Sequence, residues 1–212
     1  MLPQRHTINP AKPATQQWPV VAFTVIYMFG AIMASLITEN LEFVFYVAVM
    51  IALIAVVVKI YLRVGLTTAA LWSLSLWGLL HMAGGLVPVP TGWPLDGDHQ
   101  VLYSLWLVPD HLKYDQVVHA YGFGVTTWVC WQVLHRGMLA ADQQIRPTFG
   151  VMVLCAAAGL GFGALNEVVE FFATLLAPRT NVGGYVNTGW DLVANTIGSA
   201  FAAGVIWVRG RT

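Results

Sequence analysis

Apolar residues in this chain come in long runs rather than in the short alternations of a soluble fold. They predict helices at about Pro19–Thr38, Leu41–Ile60, Leu66–Val87, Asp115–Leu134, Phe149–Ala177 and Gly189–Val208. A helix of about 20 residues crosses a hydrocarbon core, and each run is of that order. Pro19 suits a helix start, and Pro88 with Pro90 suits a stop. The fifth run exceeds a straight crossing, which predicts tilt or an extension past the bilayer. One sizeable external loop, about 89–114, is rich in Pro, Gly, Asp and aromatic residues. Within it, Val101–Val108 reads as a short strand or an interfacial segment. The expected fold is an all-α membrane protein, a bundle of about six transmembrane helices. It forms a single domain over 19–208, with tails at 1–18 and 209–212. No small-residue cleavage pattern follows the first run, so it is expected to be retained as a helix.

Composition strengthens this picture. Of 212 residues, 58% are hydrophobic and only 9% charged, against roughly a quarter charged in soluble domains. The formal net charge is zero, which removes the basic field a nucleic-acid partner would need. Cys130 and Cys155 sit inside apolar runs without metal-binding or redox spacing and read as packing residues.

The charges are unevenly placed. With a cytoplasmic amino terminus, that side carries Arg5, Lys12, Lys59, Arg63, Arg136, Arg146, Arg209 and Arg211, and the other only Lys113 and Arg179. Basic residues in short loops set orientation, so both termini are expected to be cytoplasmic. The acids show the reverse bias: of ten, only Asp142 falls on the cytoplasmic side. Insertion does not demand that, because acids contribute little to orientation.

Polar residues inside the spans gather at one level. Asp115 and His119 are four apart on the fourth helix and share a face. Glu167 and Glu170 lie near the outer end of the fifth, Asp191 and Asn195 repeat the four-residue spacing on the sixth, and His81 lies in the outer part of the third. Several carboxylates in an apolar setting need cations, protons or donors. Two imidazoles and four carboxylates supply ligands used by zinc, iron or manganese, and helical bundles build such sites from several helices. A shared-proton network is the other solution. Read singly, each element has a plainer meaning: a packed histidine, or Asp115 and Asp191 as helix caps. Asp96, Asp98 and His99 form a weaker cation candidate in the loop. Gly159, Gly161, Gly163 and Gly198 read as close helix contacts.

The order Glu167, Glu170, Arg179, then Asp191, Asn195 and Gly198 resembles the VanZ-like membrane proteins and the neighbouring YjdF-like inner-membrane family. Tyr114, Asp115, His119 and Gly122 look like the Asp-x-x-x-His element of both. His81 with Gly84 and Gly85 is similar to the YjdF side, and Glu170 stands where VanZ-like proteins often carry Gln. The likeness runs from Leu80 to Gly198. It implies a multi-pass protein of the bacterial cytoplasmic (inner) membrane acting at the cell envelope, VanZ-like proteins being linked to glycopeptide-antibiotic resistance.

Together these readings give an outward-facing acidic and histidine pocket that binds a divalent transition metal and binds or acts on a lipid-linked or envelope substrate. The candidate ligands are His81, Asp115, His119, Glu167, Glu170 and Asp191. Glu170 would double as general base if the protein is an enzyme, with Arg179 and Asn195 holding an anionic or polar headgroup. Two other classes stand beside it. One is a proton-coupled carrier using the same acids as a relay, and the other a structural or assembly subunit of a membrane complex. A variant of the latter would use His81 and His119 as haem ligands. The bilayer is a partner in every case.

Overall fold

A computed structural model describes residues 17–210 apart from Asp98 and Arg179. The headgroup candidate Arg179, the loop candidate Asp98 and the orientation residues Arg5, Lys12 and Arg211 therefore lie outside the described residues. Six helices account for most of the rest: α1 (Trp18–Ile37), α2 (Leu41–Val64), α3 (Thr68–Leu86), α4 (Tyr114–Ala140), α5 (Phe149–Leu176) and α6 (Tyr185–Arg209).

Local chemistry sets the boundaries. Asn40 caps α2 by accepting from the Phe43 amide at 3.1 Å, and Thr67 caps α3 through the Ala70 amide at 3.2 Å. Side-chain oxygens there satisfy amides that the first turn leaves without partners. Gly65 closes α2 with φ of +76°, a left-handed conformation that glycine adopts without steric cost. The loop after α3 holds a short helical turn at Leu102–Ser104 and a two-stranded antiparallel ribbon, β1 (Trp106–Val108) and β2 (Leu112–Lys113). Of the stretch Val101–Val108, the last three residues form the expected short strand.

Five helices are long and apolar enough to cross a membrane; α4 is the exception. It carries Asp115, Gln116, His119, Gln132, His135 and Arg136. It is also the hub of the bundle, packed against α3, α5 and α6. Polar residues survive there because neighbouring helices, not lipid, surround them. Gln116, His119, Thr127 and Gln132 are all buried.

The closest approach is between α4 and α6. A Cβ added at Gly198 would collide with the Ala120 carbonyl, and one at Gly124 would come within 3.0 Å of the Gly198 carbonyl. Small residues let helices approach this closely where packing, not hydrophobic transfer, drives association. Gly159 admits α5 in the same way, against the Thr127 and Ser199 hydroxyls.

Two boundaries differ from expectation with consequences. Helix α6 begins at Tyr185, not Gly189. Asp191 is therefore in the second turn, fully buried, and does not cap the helix. Helix α4 runs on to Ala140, beyond the expected Leu134, as polar residues in its last turns remain helical.

Candidate functional site

Three stripes at four-residue spacing meet where α4, α5 and α6 converge. On α4 the stripe is Asp115, His119, Phe123 and Thr127; on α6 it is Asn187, Asp191, Asn195 and Ser199. Helix α5 contributes Gly159, Gly163 and Glu167, with Asn166 and Glu170 beside them. Residues four apart stand one above another on a helix, so each stripe presents a column to the others. Gly163 leaves room for Asn195, whose amide nitrogen would lie 2.6 Å from any Cβ at that position.

His119 is the centre, with only 2% of its surface exposed. Its Nε2 lies 3.5 Å from Asp115 Oδ1 and 3.7 Å from Glu170 Oε1. Its Nδ1 lies 3.1 Å from Asn195 Oδ1 and 3.6 Å from Glu167 Oε1. Only the Asn195 contact has the length of an N–H···O hydrogen bond. Donation from Nδ1–H to the Asn195 side-chain oxygen fixes the ring so that Nε2 is directed at Asp115 and Glu170. Two overlapping groups result, Asp115–His119–Asp191 and His119–Glu167–Glu170. The ligand atoms of each lie within 4.8 Å of one another.

Much of this polarity has no hydrogen-bond partner among the described residues. Both Glu167 oxygens, Asp191 Oδ1 and Asn195 Nδ2 are buried without a hydrogen bond from the described residues. The remaining acceptors are served: Asn166 donates to Glu170 Oε1 at 2.7 Å. Asn187 donates to Asp191 Oδ2 at 2.5 Å and to Asp115 Oδ2 at 3.4 Å. The Asn187 side-chain oxygen in turn accepts from Lys113 Nζ, which also reaches Asp96 Oδ2 at 3.2 Å. A chain of contacts thus runs from the loop, through a buried lysine, to the carboxylates.

Of the residues expected at the site, Asp115, His119, Glu167, Glu170, Asp191 and Asn195 come together. His81 stands outside both groups. Its Nδ1 is 2.6 Å from the Tyr103 hydroxyl, which also donates to the His81 carbonyl at 2.9 Å. Burial, reinforced by the nearby Asp115 and Glu170 charges, pushes the Tyr103 phenol well above its ordinary range and keeps it a donor. With its single proton on the carbonyl, the His81 Nδ1–H donates back to the phenol oxygen. His81 shares a small cavity with Asn166, Tyr46 and Trp77, and so sits behind the residue that orients Glu170.

The large space of the bundle does not adjoin the acids of the expected pocket. A groove of about 1050 Å³ runs between α4 and α6 on their other faces and is lined by none of the clustered acids or His119. The tight α4–α6 approach leaves the acids interdigitated instead.

Sequence reasoning passed over Lys113, Asn166, Asn187 and Tyr103. Asn187 was within reach, as it extends the Asp191 and Asn195 spacing by one step towards the amino terminus. Lys113 was noted only as a minority cation on the acid-rich side, and that oddity was its signal. Tyr103 reaches His81 from a loop, a contact that no periodicity encodes.

A bundle whose hub helix carries an acid and a buried histidine, met by further acids from two neighbouring helices and enclosed by apolar ones, is a multi-pass helical membrane protein with a polar core. The chain belongs to the family described as "Predicted membrane protein (DUF2238)", whose model matches residues 19–212. No curated protein and no solved structure matches the chain significantly.

Proposed function

We propose that this protein binds one divalent transition metal through His119 Nε2 and neighbouring carboxylates, and uses it on a lipid-linked or envelope substrate in the bacterial cytoplasmic membrane. The observation that carries the reading is the His119 environment. Nε2 is directed at oxygens at 3.5 and 3.7 Å. These separations are too long for good hydrogen bonds, yet near the roughly 3.3 Å edge of a tetrahedron with metal–ligand bonds of about 2.0–2.1 Å. The Nδ1–H to Asn195 contact is the outer-shell hydrogen bond that metal-bound histidines make.

Asp115 and Asp191 are the carboxylate ligands this geometry favours, with Glu170 as a further ligand or the base that activates water on the metal. Glu167, on the Nδ1 side, acts through the orientation of His119, and His81 through Asn166. Imidazole among the donors favours zinc, iron or manganese over calcium. The likeness to VanZ-like and YjdF-like proteins supports an envelope role, and the basic asymmetry supports six spans with both termini cytoplasmic.

The alternatives account for less. A structural lock satisfies its own donors and acceptors, whereas four buried atoms here have no hydrogen-bond partner among the described residues. A proton-coupled carrier needs titratable or mobile groups continuing below the acids. Below His119 the Thr127 and Ser199 hydroxyls are both directed at the Phe123 carbonyl.

Metal analysis of the purified protein tests the reading. About one equivalent of a transition metal per chain is expected, and retained after desalting. A protein that stays metal-free and cannot be loaded with zinc, iron or manganese would overturn it.

A further inference from the structure

The large groove between α4 and α6 is the feature the metal reading does not use. It runs on α4 from Gln116 to His135 and on α6 from Trp190 to Arg209. Both stretches are 19 steps long by residue number, or about 28 Å at 1.5 Å per residue. That is close to the roughly 30 Å hydrocarbon thickness. Its walls are apolar and aromatic through most of this length, including Trp128, Trp131 and Phe201. Its ends differ. His111 and Gln116 mark one, while His135, Arg146 and Arg209 mark the other.

We propose that this groove binds an anionic phospholipid, with an acyl chain along Trp128 and Phe201 and the phosphate at Arg146 and Arg209. The chemistry is complementary at each level. An acyl chain fills a groove that would otherwise be lined by side chains facing loose lipid. The guanidiniums are fixed cations suited to a phosphate, at the end that the orientation rule places toward the cytoplasmic leaflet.

A second copy of the chain fits less well. Two copies share one orientation in the membrane, so a symmetric contact through this groove would bring both Arg146–Arg209 ends together as like charges. The groove and the acid cluster use different residues of α4 and α6. A lipid-free groove would therefore leave the metal reading standing, and a metal-free protein would leave this one.

The test uses the full chain in neutral detergent, titrated with phosphatidylglycerol or phosphatidylcholine carrying brominated acyl chains, with quenching of tryptophan fluorescence as the readout. Each arginine near an anionic headgroup contributes about fivefold in affinity, so the two together give an expected preference of roughly twenty-five-fold for phosphatidylglycerol. The Arg146→Gln/Arg209→Gln variant should lose most of that preference. Ala202→Phe, which fills the groove, should weaken both lipids, and Trp128→Phe/Trp131→Phe should remove much of the quenching. Equal binding of the two lipids by the unaltered protein would overturn the proposal without any variant. So would an undiminished preference in the double arginine variant. A stable dimer in lipid-free micelles that Ala202→Phe dissociates would assign the groove to a second copy instead.

Discussion

Replacing His119 by alanine is the most discriminating perturbation of the site. In the unaltered protein, a metal held only by the folded state adds RT ln(1 + [L]/Kd), about 2.7 kcal/mol at a free concentration one hundred times Kd. For a chain of this size each kcal/mol moves the midpoint by about 2–4 °C. A chelator should therefore lower the melting temperature by roughly 5–10 °C, and added zinc should restore it. His119→Ala removes Nε2, the ring nitrogen that lies between Asp115 and Glu170, and leaves Asn195 Oδ1 without its donor. The variant starts less stable for that second reason alone, by about 1–3 kcal/mol. The informative quantity is thus the chelator-induced shift. It should vanish in the variant, together with most of the bound metal by elemental analysis. Differential scanning fluorimetry in detergent reads the first and mass spectrometry the second. Equal chelator shifts in both proteins, or none in either with metal-free samples, would refute the reasoning and leave a shared-proton network as the account of the buried acids.

Glu170→Gln keeps the side-chain shape and the Asn166 contact, so metal content should stay within about twofold; a tenfold loss of affinity would make Glu170 a ligand instead of a base. Lys113→Met removes the cation that Asn187 and Asp96 share and should destabilise the protein by about 1–3 kcal/mol, read by thermal melting; an unchanged melt would show that the lysine is dispensable. Gly198→Ala drives a Cβ into the Ala120 carbonyl, and separating α4 from α6 should cost about 3 kcal/mol or more, read as a lowered melting temperature or lost folded yield. Reporter fusions after Arg63 and Arg146 should read cytoplasmic and those near Gly97 and Asn181 external; a cytoplasmic Gly97 would reverse the orientation.

The helices were legible because the bilayer constrains them so strongly. A span must be long, apolar and internally hydrogen-bonded, and the apolar runs around Val25, Val56 and Leu154 record that directly. The common level of Asp115, His119, Glu167 and Asp191 was legible for a related reason: rise per residue fixes depth once a helix end is known. Rotation about each axis was not. It depends on which small residues meet, and the close approaches of Gly198 to Ala120 and of Gly124 to Gly198 accompany the turn of Asp191 and Asn195 toward α4. His81, outside the acid groups, is held instead by Tyr103, a residue of the Leu102–Ser104 turn in the loop after α3. Charge pattern pointed to Lys113 without saying that it folds inward.

Helix α4 shows why the helix least like a membrane span is the one to examine first. Hydropathy ranks a segment by its fitness for lipid, but the hub of a bundle meets other helices, and α4 meets four, α2, α3, α5 and α6. Freed from contact with acyl chains on most of its surface, it can carry an acid, a histidine and two glutamines without exposing them. The five more apolar helices supply the shielding that makes this tolerable. On one side α4 faces α5 and α6 through His119, where carboxylates are held away from water. Between α4 and α6 on the other side lies the groove with Trp128 and Trp131. A substitution that made α4 more apolar, such as His119→Leu, would improve its score as a span. It should nevertheless lower the stability of the folded bundle, because the Asn195 side-chain oxygen would lose its donor and Asp115 and Glu170 would face an apolar group in place of Nε2. Membrane insertion measured by glycosylation-type reporters should be unchanged or improved by that substitution, while thermal stability in detergent should fall. If both rose together, the acids would not depend on His119, and the centre would lie elsewhere.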